Sequence, residues 1–68
     1  MQLPNIHVSV SFETDTSSHN LMGFSAHRSE FPSMTDEDIR TALIEEYTQR
    51  FVVEQGHTVR WINISFID

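Results

Sequence analysis

The chain contains no cysteine and no lysine, only two glycines and two prolines, and no long apolar run. Each shortage closes a class of function. Without thiols there is no disulfide framework, no thiolate nucleophile and no cysteine-rich zinc site, a composition suited to a reducing cytoplasm. Gly23 and Gly56 are too few to build a phosphate-cradling loop. A membrane helix needs about 18–20 consecutive apolar residues, and nothing here approaches that. The opening MQLPNIHVSV has neither the basic start nor the apolar centre of a secretory signal. The expectation is a soluble cytoplasmic protein, one domain over residues 1–68.

Positive charge is also scarce. Arg28, Arg40, Arg50 and Arg60 stand against ten acids, leaving a formal net charge of −6. Direct binding of DNA or RNA needs a basic groove or stripe, which this composition cannot supply. A field of this sign favours basic partners instead, including the nucleic-acid-binding faces of other proteins. Solubility is the plainer consequence, and it fits a structural or assembly subunit equally well.

What is present is a clear alternation of periods. IHVSVSFE, residues 6–13, puts Ile6, Val8, Val10 and Phe12 on one side and His7, Ser9, Ser11 and Glu13 on the other, the pattern of a half-buried strand. A polar loop, 14–20, leads to LMGFSAHR, residues 21–28, a second strand with Met22, Phe24 and Ala26 inward and Gly23 marking a candidate bulge. Pairing Phe12 with Met22 sets Val10 against Phe24, Val8 against Ala26, and His7 against His27. A slip of two residues would preserve the same faces.

Pro32 then ends the extended segment. In PSMTDEDIR, Thr35 reads as an N-cap with Asp38 three residues on, and Asp36, Glu37 and Asp38 place negative charge at the positive end of a helix dipole. That helix should run to about Gln55, with Gly56 just past its end. Ile39, Leu43, Tyr47 and Phe51 form its apolar line, flanked by Ala42, Val53 and Ile44, a stripe wider than a small sheet requires. The final segment, 58–67, is a third strand with Ile62, Ile64 and Phe66 inward and Val59, Trp61, Asn63, Ser65 and Ile67 outward. The fold class is α+β: a β-β-α-β chain forming a three-stranded antiparallel sheet of order 2-1-3, with one helix on one face and a right-handed crossover.

Few constellations suggest chemistry. His7 and His27, as cross-strand neighbours, would need Glu13, His19 or His57 to complete a zinc site, and no metal-ligand spacing is present. Ser9, Ser11 and Ser25 lie near histidines, but no nucleophile elbow or oxyanion-hole signature accompanies them. The expectation is a protein that is not an enzyme and needs no metal or cofactor. Trp61, outward beside Val59 and Ile67, makes an apolar contact patch. Small size favours a homodimer, joined through the open sheet face at Trp61 and Val59 or along the helix edge at Ile44, Tyr47 and Phe51. Acids are concentrated in 36–55, where Asp36, Glu37, Asp38, Glu45, Glu46 and Glu54 outnumber Arg40 and Arg50. Glu37, Asp38 and Glu45 form a ridge suited to a basic partner.

A short acidic β-β-α-β chain with the helix start Thr35, Asp36, Asp38, Ile39 resembles the small phage inhibitors of the uracil-DNA glycosylase inhibitor type. That resemblance implies a dimeric DNA mimic at work in the host cytoplasm, with Asp38 offered to the DNA-binding groove of a host enzyme. The chain lacks that family's aromatic run in strand two, and its helix is longer. Phage inhibitors of host RNA polymerase share the layout and imply a different target with the same charge dependence.

Overall fold

β1, Asn5–Glu13, is the central strand, and its alternation is followed residue by residue. Ile6, Val8, Val10 and Phe12 are buried, while the intervening side chains lie half-covered on the opposite face. The structure is a computed structural model describing residues 2–68. β2, Asn20–His27, and β3, Thr58–Ile67, both pair antiparallel with β1, giving the order β2-β1-β3. One long helix crosses a single face of this sheet, as the periodicity predicts.

The β1–β2 register differs by two residues from the expected one. Phe12 faces Asn20, Val10 faces Met22, Val8 faces Phe24 and His7 faces Ser25. The cause is local. Thr14 N–H donates to the Ser17 carbonyl at 2.8 Å, and the Asn20 side-chain amide reaches the carbonyls of Phe12 and Ser17 at 3.2 Å each. These bonds close the loop early and recruit Asn20 into the strand. Gly23 is an ordinary ladder residue opposite Ser9, and a Cβ there would come within 3.1 Å of the His7 ring.

The bulge lies in β3 instead. Ser11 pairs with Trp61 but Phe12 pairs with Val59, so Arg60 is the extra residue. This shift overturns one face assignment: Val59 packs on the core beside Phe12 rather than on the open face. Beyond the bulge the expected parity holds, with Ile62, Ile64 and Phe66 toward the helix and Trp61 and Ile67 outward.

Helix α1 spans Asp36–Thr48 and continues as a π-helical segment, Gln49–Glu54. The reason is legible in its apolar line. Ile39, Leu43, Tyr47 and Phe51 recur every four residues, whereas an α-helix turns every 3.6, so each step rotates about 40° off the sheet. A wider π turn holds more residues and swings Phe51 back over the core, where it is 1% exposed. There its ring lies 4.8 Å from Phe12 at a steep angle, with Phe24, Tyr47 and His57 completing an aromatic cluster. Gly56, at φ 71°, then reverses the chain, and His57 N–H donates back to the Phe51 carbonyl.

Packing corrects three expected surface contacts. Tyr47 and Phe51 are core residues with almost no surface to offer a dimer seam, and Val59, half-buried against the core, is not on the open sheet face expected for it. Ile44 remains exposed. Val53, expected in the apolar stripe, is 67% exposed, because the π turn that brings Phe51 inward carries its neighbours outward. Among the described residues, no helix is long and apolar enough to cross a membrane.

Candidate functional site

The start of α1 is built as its sequence demands. Thr35 is the N-cap in extended geometry, its hydroxyl accepting the Asp38 N–H at 3.1 Å. Just upstream, Phe31-Pro32-Ser33-Met34 makes a tight turn closed by Met34 N–H to the Phe31 carbonyl, with Ser33 at φ 65°. A second cap, not foreseen from the sequence, precedes it. His27 accepts the Ser29 N–H on its ring, and Glu30 returns a carboxylate to the His27 N–H at 2.7 Å. Its signal in the sequence is Ser29 and Glu30, two and three residues past His27.

These two caps frame an open cleft of about 570 Å³, lined by the apolar Pro4, Phe31, Pro32 and Met34 and by polar residues that include Arg28 and Thr35. Arg28 anchors it, donating through Nε to the Leu3 carbonyl at 2.8 Å and pairing through Nη2 with Asp36. The acidic first turn of α1 therefore borders a partly apolar hollow.

Three arginines rest against aromatic rings. The guanidinium groups of Arg28 and Arg40 lie 5.2 and 5.3 Å from the Phe66 ring centre, and that of Arg50 lies 4.8 Å from Tyr47. Arg40 also donates to the Ile64 carbonyl at 2.9 Å, and Arg50 approaches Glu46 at 3.8 Å. Cations are thus spent on internal contacts, while Glu37, Asp38 and Glu45 stay exposed with no ion-pair partner among the described residues. Asp36 does not share that freedom.

The expected site divides into two surfaces. Glu37, Asp38 and Glu45 lie along the exposed helix, with Asp38 and Glu45 about 10 Å apart along its axis. Trp61, 49% exposed, sits on the opposite face of the sheet beside Ser11. One flat contact cannot use both. The expected histidine pair is also separated: His7 faces Ser25, His27 faces Asn5, and the His27 ring is committed to its cap. Among the described residues, no three His, Asp or Glu side chains gather as a metal site. Comparison with protein-family models, with curated proteins and with solved structures finds no match.

Proposed function

We propose that this chain is a non-enzymatic binding protein that offers its acidic helix to the basic nucleic-acid groove of a DNA-acting host enzyme, uracil-DNA glycosylase being the first target to test. The observation that carries the reading is the juxtaposition at the start of α1. Thr35, the helix cap, lines a cleft shared with Phe31, Pro32 and Met34, and the exposed Glu37 and Asp38 follow it in the first turn of α1. Carboxylates take the place of phosphates against arginines and lysines, and the cleft accepts an apolar side chain of the kind such enzymes insert into a duplex. Acids outnumber Arg40 and Arg50 by six to two in residues 36–55, so the net field on the helix side is negative. Trp61 takes no part in this contact.

The test is uracil excision by a purified bacterial glycosylase with and without a stoichiometric amount of this protein, followed by binding competition with DNA. Inhibition relieved by excess DNA is expected. Asp38→Ala and Glu45→Lys should each weaken binding about tenfold or more. An enzyme that works undiminished removes glycosylase as the target. Capture of RNA polymerase from lysate, with the same dependence on Asp38 and Glu45, would move the target but keep the mode. Binding to either that ignores both substitutions would show the acids to be only a helix start.

A further inference from the structure

We propose that the free edge of β3 pairs with the β3 edge of a second copy, antiparallel about a two-fold axis at Ile64, to make a continuous six-stranded sheet. The edge is available and its backbone polarity is known. Arg28 N–H donates to the Pro4 carbonyl, so the even-numbered residues of β1 bond to β2 and the odd-numbered ones to β3. Those odd residues face Ile67, Ser65, Asn63 and Trp61, which leaves the N–H and C=O groups of Ile62, Ile64 and Phe66 pointing away from the sheet. The Arg40 side chain, donating to the Ile64 carbonyl from the helix side, marks the same outward direction and leaves that oxygen a second lone pair.

An edge of this kind is a template for another strand, and its protection is confined to the Arg40 side chain on the Ile64 carbonyl. Between Thr58 and Ile67 there is no proline and no acid, although the whole chain carries −6. Its bulge, at Arg60, stops short of the segment 61–67.

The residues select the second copy as the occupant, because the segment is complementary to itself in one register. With the axis at Ile64, Trp61 lies opposite Ile67 of the second copy, and the reverse pair repeats on the other side. These two are the large apolar side chains that β3 leaves exposed, at 49% and 48%. Asn63 meets Ser65, Ile62 meets Phe66, and Arg60 comes level with Asp68, so opposite charges flank the seam at both ends. Outward backbone groups meet outward groups, allowing about six new hydrogen bonds. Moving the axis one residue either way puts Trp61 against Ser65 or beyond the end of the strand. The β2 edge has no equivalent, since Leu21 would meet Ser25 or His27. This pairing uses neither the acidic helix nor the cleft, so it stands apart from the function proposed above.

Sedimentation equilibrium across micromolar to millimolar concentration should show 7.9 kDa chains passing to twice that mass. Register is tested by cysteine, which the chain lacks. Asn63 and Ser65 of facing copies would occupy a non-hydrogen-bonded position with Cα atoms about 4.5 Å apart, within disulfide reach. An oxidised mixture of the N63C and S65C variants should cross-link at least fivefold more than either variant alone. Trp61→Lys and Ile67→Glu should each lower the dimer fraction, and the two together should restore it. A chain that stays monomeric at millimolar concentration overturns the proposal. So does a dimer whose cross-linking shows no preference for the mixture, or one that ignores both charge substitutions.

Discussion

At the scale of single residues, two positive-φ positions carry opposite expectations. Gly56, at φ 71°, has nothing within 4 Å of where a Cβ would stand, so its need for glycine is conformational alone. Ser33, at φ 65°, adopts a similar backbone with a side chain attached, at the turn position where glycine is preferred. Left-handed geometry costs an L-residue about 1–2 kcal/mol, against about 0.5–1 kcal/mol for the greater freedom of glycine in the unfolded chain. Gly56→Ala should therefore lose about 1 kcal/mol, lowering Tm by roughly 4–8 °C in a domain of this size. Ser33→Gly should leave stability unchanged or raise it by up to about 1 kcal/mol. Thermal unfolding followed by circular dichroism decides both. A Gly56→Ala protein as stable as its parent would mean that the helix end relaxes to another geometry.

At the scale of elements, the π-helical end of α1 matters most, because it allows an apolar line spaced by four to remain over the sheet. Phe51 is the residue that this widening delivers, and it touches Phe12, Phe24, Tyr47 and His57. Truncating a buried phenylalanine costs about 3–5 kcal/mol. A domain of this length has a total stability of about 3–10 kcal/mol. Phe51→Ala should thus bring the chain near or below its unfolding threshold at 25 °C, read as a lost or strongly lowered urea midpoint. Val53→Ala, two residues away but exposed, should change stability by less than about 0.5 kcal/mol. Equal losses at both positions would contradict the π-helical geometry.

For the whole molecule, shape and charge point the same way. The extents are 42 × 20 × 14 Å, and the radius of gyration, 12.9 Å, exceeds the roughly 11 Å of a compact chain of this length. A long thin slab exposes much edge and one uncovered face. Four of the six units of net negative charge sit in residues 36–55, so the field is concentrated along the helix side. Association with a basic partner through that side should be steered at long range. Its rate constant should fall about tenfold or more between 50 and 500 mM salt, while dissociation changes less. Stopped-flow measurement on the captured target checks this, and a salt-independent association rate would deny the acids a steering role.

Much of this was readable from local pattern. A period of two in 6–13 and an apolar spacing of four in 39–51, with Thr35 before them and Gly56 after, define strand and helix because side-chain direction follows from backbone geometry alone. The acidic helix start was readable for the same reason, since a cap and its first turn are neighbours in sequence. The separation of that start from Trp61 was not, because it depends on which layer each element occupies. Register, bulge and the fate of the arginines also lay beyond the chain's local order. Hydrogen bonds from Asn20 choose between two registers with identical faces, and one extra residue at Arg60 turns Val59 from the open face to the core. Phe66 draws in Arg28 and Arg40 from distant positions. Each depends on contacts between residues far apart in sequence, whose energies exist only once the sheet and helix have met.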